Sequence, residues 1–412
     1  MKNADMKMVA GLDIGNGYVK GTVSVNNGTP SMIDFLSGVA IETNSSGIKT
    51  KQADMASEIG NIFNTMEASF DTPAIMSKTS RLFGQRAIHS GKAMEEFDVA
   101  STISKAQQDL SYILILGGLA GKALQVYFEA HQTIPSETLM VDARIAVALP
   151  ITEYKAYRKI YVDKIRNIRH MVSIQNFDQP VRIEILVTDV QVLAEGASAQ
   201  FAIVQHGEPL VSAMLQELRA HGEKLEGVTA ADVIGASNTI GVDIGEGTVN
   251  FPVFQDGKFN PDVSITFNKG YGTVLEQARE RLQMLGMPFP SRKALADFLM
   301  APQSALTAPR RNKAEQVVDE EIEGFVQELG VQFLKVMSRV GSYTEVIYVY
   351  GGGAVKVKNQ LYPALLHMAK QFGGDDVIYP ILYLDSEYSR LLNQEGLFII
   401  AKNIADQVSA QQ

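Results

Sequence analysis

Apolar positions along the chain follow two spacings that alternate. Met8–Leu12, Arg144–Leu149, Thr239–Val242 and Glu345–Tyr350 are short, nearly continuous apolar runs, the pattern of buried strands, and Met171–Asn176 and Val181–Val192 read as a strand pair. Between them, apolar residues recur every three to four positions over Ser101–His131, Thr152–Asn167, Thr273–Leu285, Lys313–Val340 and Asn359–Gln371, which predicts helices. Strands alternating with helices of this length predict an α/β chain with parallel strand pairs. Two stretches stand outside the alternation. Thr43–Phe97 is polar and weakly periodic, and Met284–Lys313 holds four of the 14 prolines; each predicts a small peripheral piece. The most apolar long stretch, Ser111–Phe128, is interrupted by Gly117, Gly118, Lys122 and Gln125, which predicts a buried helix rather than a membrane span.

One local pattern occurs twice. Gly11–Val19 reads GLDIGNGYV and Gly241–Val249 reads GVDIGEGTV, with the same residue at six positions. Each copy follows an apolar run and precedes an alternating segment that ends in a turn, Asn26-Asn27-Gly28 in one and Asp256-Gly257 in the other. Asn-Gly and Asp-Gly are strong hairpin signals, because both central residues of the tight turn need positive φ. Each copy therefore predicts strand, glycine turn, strand, tight turn, strand. A separation of about 230 residues suggests two similarly built lobes, since a solenoid has a far shorter period.

Composition narrows the function. At 412 residues two or more domains are expected, and 46% hydrophobic with 20% charged residues is ordinary for a globular protein. The net charge of −9 argues against a general nucleic-acid binder but leaves room for a local basic strip. There is no cysteine, hence no disulfide, thiol nucleophile or Cys-based metal site. The six histidines are scattered singly, without metal-ligand spacing. The N-terminus lacks the apolar core of a signal peptide, so a soluble, cytoplasmic protein is expected.

The repeated turn has chemistry to offer. Backbone N–H groups converging on a hollow bind phosphate oxygens, and glycine lets the backbone approach without a Cβ in the way. An Asp ending the preceding strand is placed to hold Mg²⁺, usually through water. Two such hairpins facing each other would clamp a nucleotide triphosphate from both sides. Other nucleotide sites fail: Gly117–Ala123 (GGLAGKA) has neither the spacing nor the hydroxyl of a Walker A loop, and no strand–GxGxxG–helix unit occurs.

Taken together, these residues resemble the actin-like ATPase superfamily (actin, heat-shock chaperone ATPase domains, sugar kinases), and most of all the bacterial plasmid-segregation actins of the ParM (StbA) type. The first phosphate motif of that family is similar to Asp13-Ile14-Gly15-Asn16-Gly17-Tyr18-Val19-Lys20 and the second to Asp243-Ile244-Gly245-Glu246-Gly247-Thr248. Its adenosine motif is similar to Gly351-Gly352-Gly353-Ala354, and its turn into the nucleotide-side helix to Lys269-Gly270-Tyr271-Gly272-Thr273. The final Ala-Asn-x-x-Gly element is matched in part by Leu392–Gly396. Where the family carries a Pro-Glu-Ser-like stretch whose Glu positions the attacking water, this chain has Ala194-Glu195-Gly196. Glu276 and Arg279 are weaker candidates for the ribose or base. Ala308–Lys313 (APRRNK) is expected to be a flexible basic loop.

The resemblance implies a two-lobed fold, each lobe a mixed sheet flanked by helices, with the nucleotide in the interlobe cleft. Lobe I is expected at 1–195 plus 397–412, with 43–97 peripheral, and lobe II at 196–396, with a peripheral subdomain in 273–340. It implies ATP or GTP and Mg²⁺ as ligands, with polymerisation coupled to hydrolysis in the service of plasmid DNA segregation. The implied partners are further copies of the chain and a DNA-binding adaptor, without direct DNA or membrane contact. The rivals are a sugar or metabolite kinase, for which no convincing catalytic base is found, a chaperone-type ATPase, and a cell-shape actin.

Overall fold

The computed structural model of the chain describes residues 4–43, 54–97, 103–220, 225–373, 379–384 and 386–411. It divides into two compact units, Met1–Ala202 with Asn393–Gln412, and Ile203–Leu392.

Among the described residues of the first unit the strands are β1 (Met6–Ile14), β2 (Tyr18–Val25), β3 (Ser31–Leu36), β4 (Val39–Glu42), β5 (Glu67–Asp71), β6 (Ser80–Phe83), β7 (Met94–Glu95), β8 (Leu139–Leu149), β9 (Arg169–Ile174) and β10 (Val181–Ala194). They form one ten-stranded sheet in the order β3-β2-β1-β8-β10-β9-β5-β6-β4-β7. The β1–β8 and β8–β10 pairs are parallel, as the strand–helix alternation predicts, and β9–β10 is an antiparallel pair. The stretch expected to be peripheral lends β5, β6 and β7 to this same sheet, and Ile59, Ile62, Phe70 and Phe83 to its core. Its strands are only two to five residues long, too short to show a periodic pattern in the sequence.

The helix Asp109–His131 fills the core beneath the sheet, buried from Leu110 to Leu124. It is long and apolar enough to cross a membrane, but most of it is buried within the protein. Being apolar all round, it has no polar stripe to lose. The helix starts at Asp109 after a single 3-10 turn, Lys105–Gln107, so it is shorter than the expected Ser101–His131, whose residues 101 and 102 lie outside the described residues. The Walker-like glycines lie within it and serve packing: a Cβ at Gly117 would stand 2.7 Å from the Phe83 ring.

The second unit holds β11 (Thr239–Ile244), β12 (Val249–Phe251), β13 (Val253–Gln255), β14 (Lys258–Phe259), β15 (Ile265–Phe267), β16 (Val346–Tyr350) and β17 (Ile381–Tyr383). Like β1, β11 pairs antiparallel with the strand after its glycine turn and parallel with a strand much later in the chain, β16. Pro252 splits the second strand of this copy into β12 and β13, since proline has no N–H to donate to the ladder. The helices Tyr271–Met284, Ala308–Val340 and Ala354–Gly373 line this sheet's core through Val274, Phe325, Phe333 and Leu361.

Two local expectations need correction. In the first hairpin the positive-φ pair is Asn26 and Asn27 (50° and 58°), closed by the Gly28 N–H on the Val25 carbonyl, so the turn sits one residue earlier than an Asn-Gly turn. The second does centre on Asp256 and Gly257. The basic stretch APRRNK is not a loop: it opens the helix Ala308–Val340, with Pro309 in the first turn where its missing N–H costs nothing. Arg311 there donates to the carbonyls of Leu299 and Ala301.

The helix Leu392–Gln411 packs on the first unit where β10 ends. A Cβ at Gly396 would lie 1.8 Å from the Ser198 carbonyl oxygen, a backbone atom that cannot swing away. Gly396→Ala is therefore expected to cost about 1–3 kcal/mol through overpacking, read as a lower melting temperature. An unchanged melting curve would show that the helix and the Ser198 turn are not in this contact.

Candidate functional site

Each glycine turn follows from its sequence. β1 ends at Asp13-Ile14, the chain reverses through Gly15-Asn16-Gly17, and β2 returns antiparallel with Lys20 opposite Asp13 and Val19 opposite Ile14. The Gly15 N–H closes the turn on the Tyr18 carbonyl at 3.1 Å. In the second unit Asn250 stands opposite Asp243 and Val249 opposite Ile244, and Gly245 N–H closes on the Thr248 carbonyl at 2.9 Å. The nine-residue repeat is thus a repeat of hydrogen-bond pattern, one copy to each unit.

Around the first turn the structure gathers charges that lie far apart in sequence. Asp13 sits at the inner end of β1, and burial pushes its carboxyl above the usual range; Lys20 and Lys105 pull it down, and Glu195 pushes it up further. Lys105 is buried. Its ammonium donates to the Ile14 carbonyl at 3.0 Å and to Glu195 Oε1 at 2.8 Å, and it lies 5.1 Å from the centre of the Phe97 ring. Glu195 is held from the other side by its own N–H on the Leu149 carbonyl, 2.7 Å, at the end of β10. Glu153, on the helix Ile151–Ile165, accepts from the Lys105 N–H at 2.9 Å and from the Ser104 hydroxyl, and burial raises its carboxyl too. The first unit therefore places Asp13, Glu195 and Lys105 around the first glycine turn.

Three predicted motifs of the second unit converge on the second turn. Asp243 is 5% exposed at the end of β11. Gly351, at φ 99°, begins the glycine run after β16; a Cβ there would stand 2.6 Å from the Asp243 carboxylate, so no L side chain fits. The Gly353 N–H bonds the Ile244 carbonyl at 2.9 Å, and Ala354 starts the next helix. A Cβ at Gly352 would meet no protein atom, which leaves that side of the run open. The helix Tyr271–Met284 docks on the turn itself, with Tyr271 and Gly272 N–H groups on the Gly245 and Glu246 carbonyls at 3.0 and 2.8 Å. Cβ atoms at Gly270 and Gly272 would strike the Glu246 carbonyl at 2.5 and 2.8 Å, so these two glycines are explained by close backbone packing. Glu276 pairs with Arg279 along the same helix, and Glu246 with Arg292 at 2.9 Å.

Among the described residues no three His, Asp or Glu side chains gather into a metal cage. The donor set fits Mg²⁺ all the same, because that ion keeps most of its waters and takes only one or two carboxylates from the protein. Asp13 is half-buried with its carboxyl raised by desolvation, and a cation beside it would favour the charged form.

Lys105 and Glu153 were not legible as site residues. Ser104-Lys105-Ala106-Gln107 does carry a capping-box spacing, and the box is formed. That signal marks a helical start and says nothing about where the lysine points.

Residues 11–197 match the family model for the N-terminal domain of actin-like proteins. Against curated proteins the sequence finds no match. Solved structures share the fold over almost the whole chain. The actin-like protein Alp7A is 15% identical with a TM-score of 0.62, covering 98% of this chain and 97% of that one. Bacillus thuringiensis ParM in its apo form is 14% identical with a TM-score of 0.53, covering 98% of each chain. An archaeal actin homologue in complex with ADP is 12% identical with a TM-score of 0.56, covering 97% of this chain and 99% of that one. The chain has the actin-like fold, and its residues 11–197 are similar to the N-terminal domain of actin-like proteins.

Proposed function

We propose that this chain binds ATP or GTP with Mg²⁺, assembles into filaments on binding it, and disassembles after hydrolysis, and that it moves plasmid DNA through a DNA-binding adaptor. The observation that carries the reading is the pair of Asp-Ile-Gly-x-Gly turns, alike in register and closing hydrogen bond, each with its Asp at the end of a central strand. Similarity to ParM and to an archaeal actin homologue solved with ADP supports it.

In this reading the N–H groups of Asn16–Tyr18 and Glu246–Thr248 take phosphate oxygens, and Asp13 and Asp243 are the carboxylates that would hold waters of a magnesium ion. The ion, when bound, supplies charge stabilisation for the leaving diphosphate. Glu195 accepts a hydrogen bond from the attacking water and holds it in line with the terminal phosphorus. Lys105 positions that carboxylate. The open side of Gly352 admits the nucleoside, and Gly352→Val closes it.

Sedimentation and light scattering with ATP, GTP or no nucleotide test the reading, since a protein that stays monomeric across nucleotide and salt conditions is not a filament former. Asp13→Ala and Asp243→Ala are each expected to lower nucleotide turnover about tenfold or more, through loss of a carboxylate from the metal's surroundings. Parent-like turnover in either variant would reduce that turn to an ordinary hairpin.

A further inference from the structure

The helix Ile151–Ile165 and the residues that follow it carry six cations, Lys155, Arg158, Lys159, Lys164, Arg166 and Arg169, against two carboxylates, Glu153 and Asp163, in a chain of net charge −9. Glu153 is turned inward onto Ser104 and Lys105, which removes one of the two from the surface. Lys155, Arg158, Lys159 and Arg166 are exposed, at spacings of three, one and seven that keep them on one side of the helical path. Ile160 lies among them, 42% exposed.

The second unit carries the opposite pattern. On the helix Ala308–Val340, Glu315, Asp319 and Glu323 follow each other at intervals of four, so they form one stripe; Asp319 and Glu323 are exposed. Like charges four apart destabilise a helix by a few tenths of a kcal/mol per pair. Both Lys155–Lys159 and Asp319–Glu323 accept that penalty on the surface, where a neutral residue would avoid it, while Glu315 is offset by its ion pair with Arg311 at 2.8 Å. The Asp319 carboxyl is raised by burial and then by Glu315 and Glu323, a crowding that an incoming cation relieves. At 1.5 Å per residue the basic stripe runs about 16 Å and the acidic stripe about 12 Å, so the acidic stripe can face about three quarters of the basic one.

We propose that the basic face of Ile151–Ile165 on one copy docks on the acidic stripe Glu315–Asp319–Glu323 of a second copy. Such a contact joins different surfaces of identical chains; it is heterologous, so it repeats from copy to copy and builds an open polymer unless the rotation closes a ring. Opposite charge sets the register and speeds encounter more than it adds affinity. DNA is the other polyanion that a basic face could take, but the overall negative charge opposes it and the matching stripe on the same chain favours self-recognition. The inference rests on the filament reading above and names one of its contacts.

The full chain tests it in three forms: the parent, Lys159→Glu/Arg166→Glu, and Asp319→Lys/Glu323→Lys, each with ATP and with GTP. Each double variant alone is expected to raise the threshold concentration for sedimentation about tenfold. An equimolar mixture of the two should assemble near the parent's threshold, because every reversed basic face then meets a reversed acidic stripe. Recovery in the mixture cannot come from unfolded chains, so it separates docking from misfolding. If either variant assembles like the parent, or the mixture stays soluble while circular dichroism shows both variants folded, the proposal fails. If the basic-face variant assembles like the parent but loses retention of plasmid DNA in a gel-shift, the face serves nucleic acid and the proposal is likewise overturned. If the parent itself never sediments, it is the filament reading that fails.

Discussion

Glu195→Ala is expected to slow nucleotide hydrolysis about 100-fold, equivalent to about 2.7 kcal/mol of barrier, while leaving nucleotide binding largely intact. The carboxylate stands at the end of β10, fixed by its own N–H on the Leu149 carbonyl and by the Lys105 ammonium. It belongs to the group of charges around the first glycine turn, where an attacking water needs orientation. Removing it takes away an interaction made with the water in the transition state and leaves the phosphate-binding N–H groups in place. Assembly on ATP should therefore survive and disassembly should slow, giving a scattering signal that persists after mixing. Single-turnover measurements decide the matter: parent-like hydrolysis in the variant removes Glu195 from the reaction, and lost binding would make it a structural residue.

Lys105→Met should have an effect on both stability and turnover. The Lys105 side chain is 8% exposed and that of its partner Glu195 12%, so removing the ammonium takes its cation from a desolvated carboxylate. Breaking a buried pair from one side typically costs about 3–5 kcal/mol. The Ile14 carbonyl, which accepts from the same ammonium, is left without that donor as well. A second variant separates folding from chemistry. Lys105→Met with Glu195→Gln removes both charges, and most of the lost stability should return, because a neutral pair needs no counter-ion. Turnover should not return, since the amide lacks the carboxylate's charge. Were Lys105→Met as stable as the parent in a urea melt, the pair would not be formed in solution. Were the double variant to hydrolyse normally, Lys105 would have no positioning role.

Much of the chemistry was readable in the linear text because it is local. A strand ending in Asp followed by Gly-x-Gly fixes its own hydrogen bonds, and the match between the Gly15–Tyr18 and Gly245–Thr248 closures was implied by six identical positions out of nine. The same holds for Asp256-Gly257, where two residues that tolerate positive φ make the turn by themselves. Locality also explains the misses. Asn26-Asn27-Gly28 allows two registers for one turn, and the one formed is the earlier, with the Gly28 N–H on the Val25 carbonyl. APRRNK looked like a loop from its proline and its charge, yet Pro309 falls where a helix starts and Arg311 finds carbonyls to cap.

By itself, then, the sequence determined the repeated turns, the α/β alternation and the presence of a buried helix within Ser101–His131, since each depends on residues within a few positions or one helical turn. The tertiary structure alone decided that β5, β6 and β7 extend the first sheet, that Gly270 and Gly272 serve contact with the Glu246 carbonyl, and that Lys105 meets Glu195 across 90 residues of chain. The reason is physical. A lysine among polar neighbours reads as a solvated charge, and it becomes a buried ion pair only when the ends of β1 and β10 are brought side by side with β8 between them, a long-range pairing that no local pattern encodes.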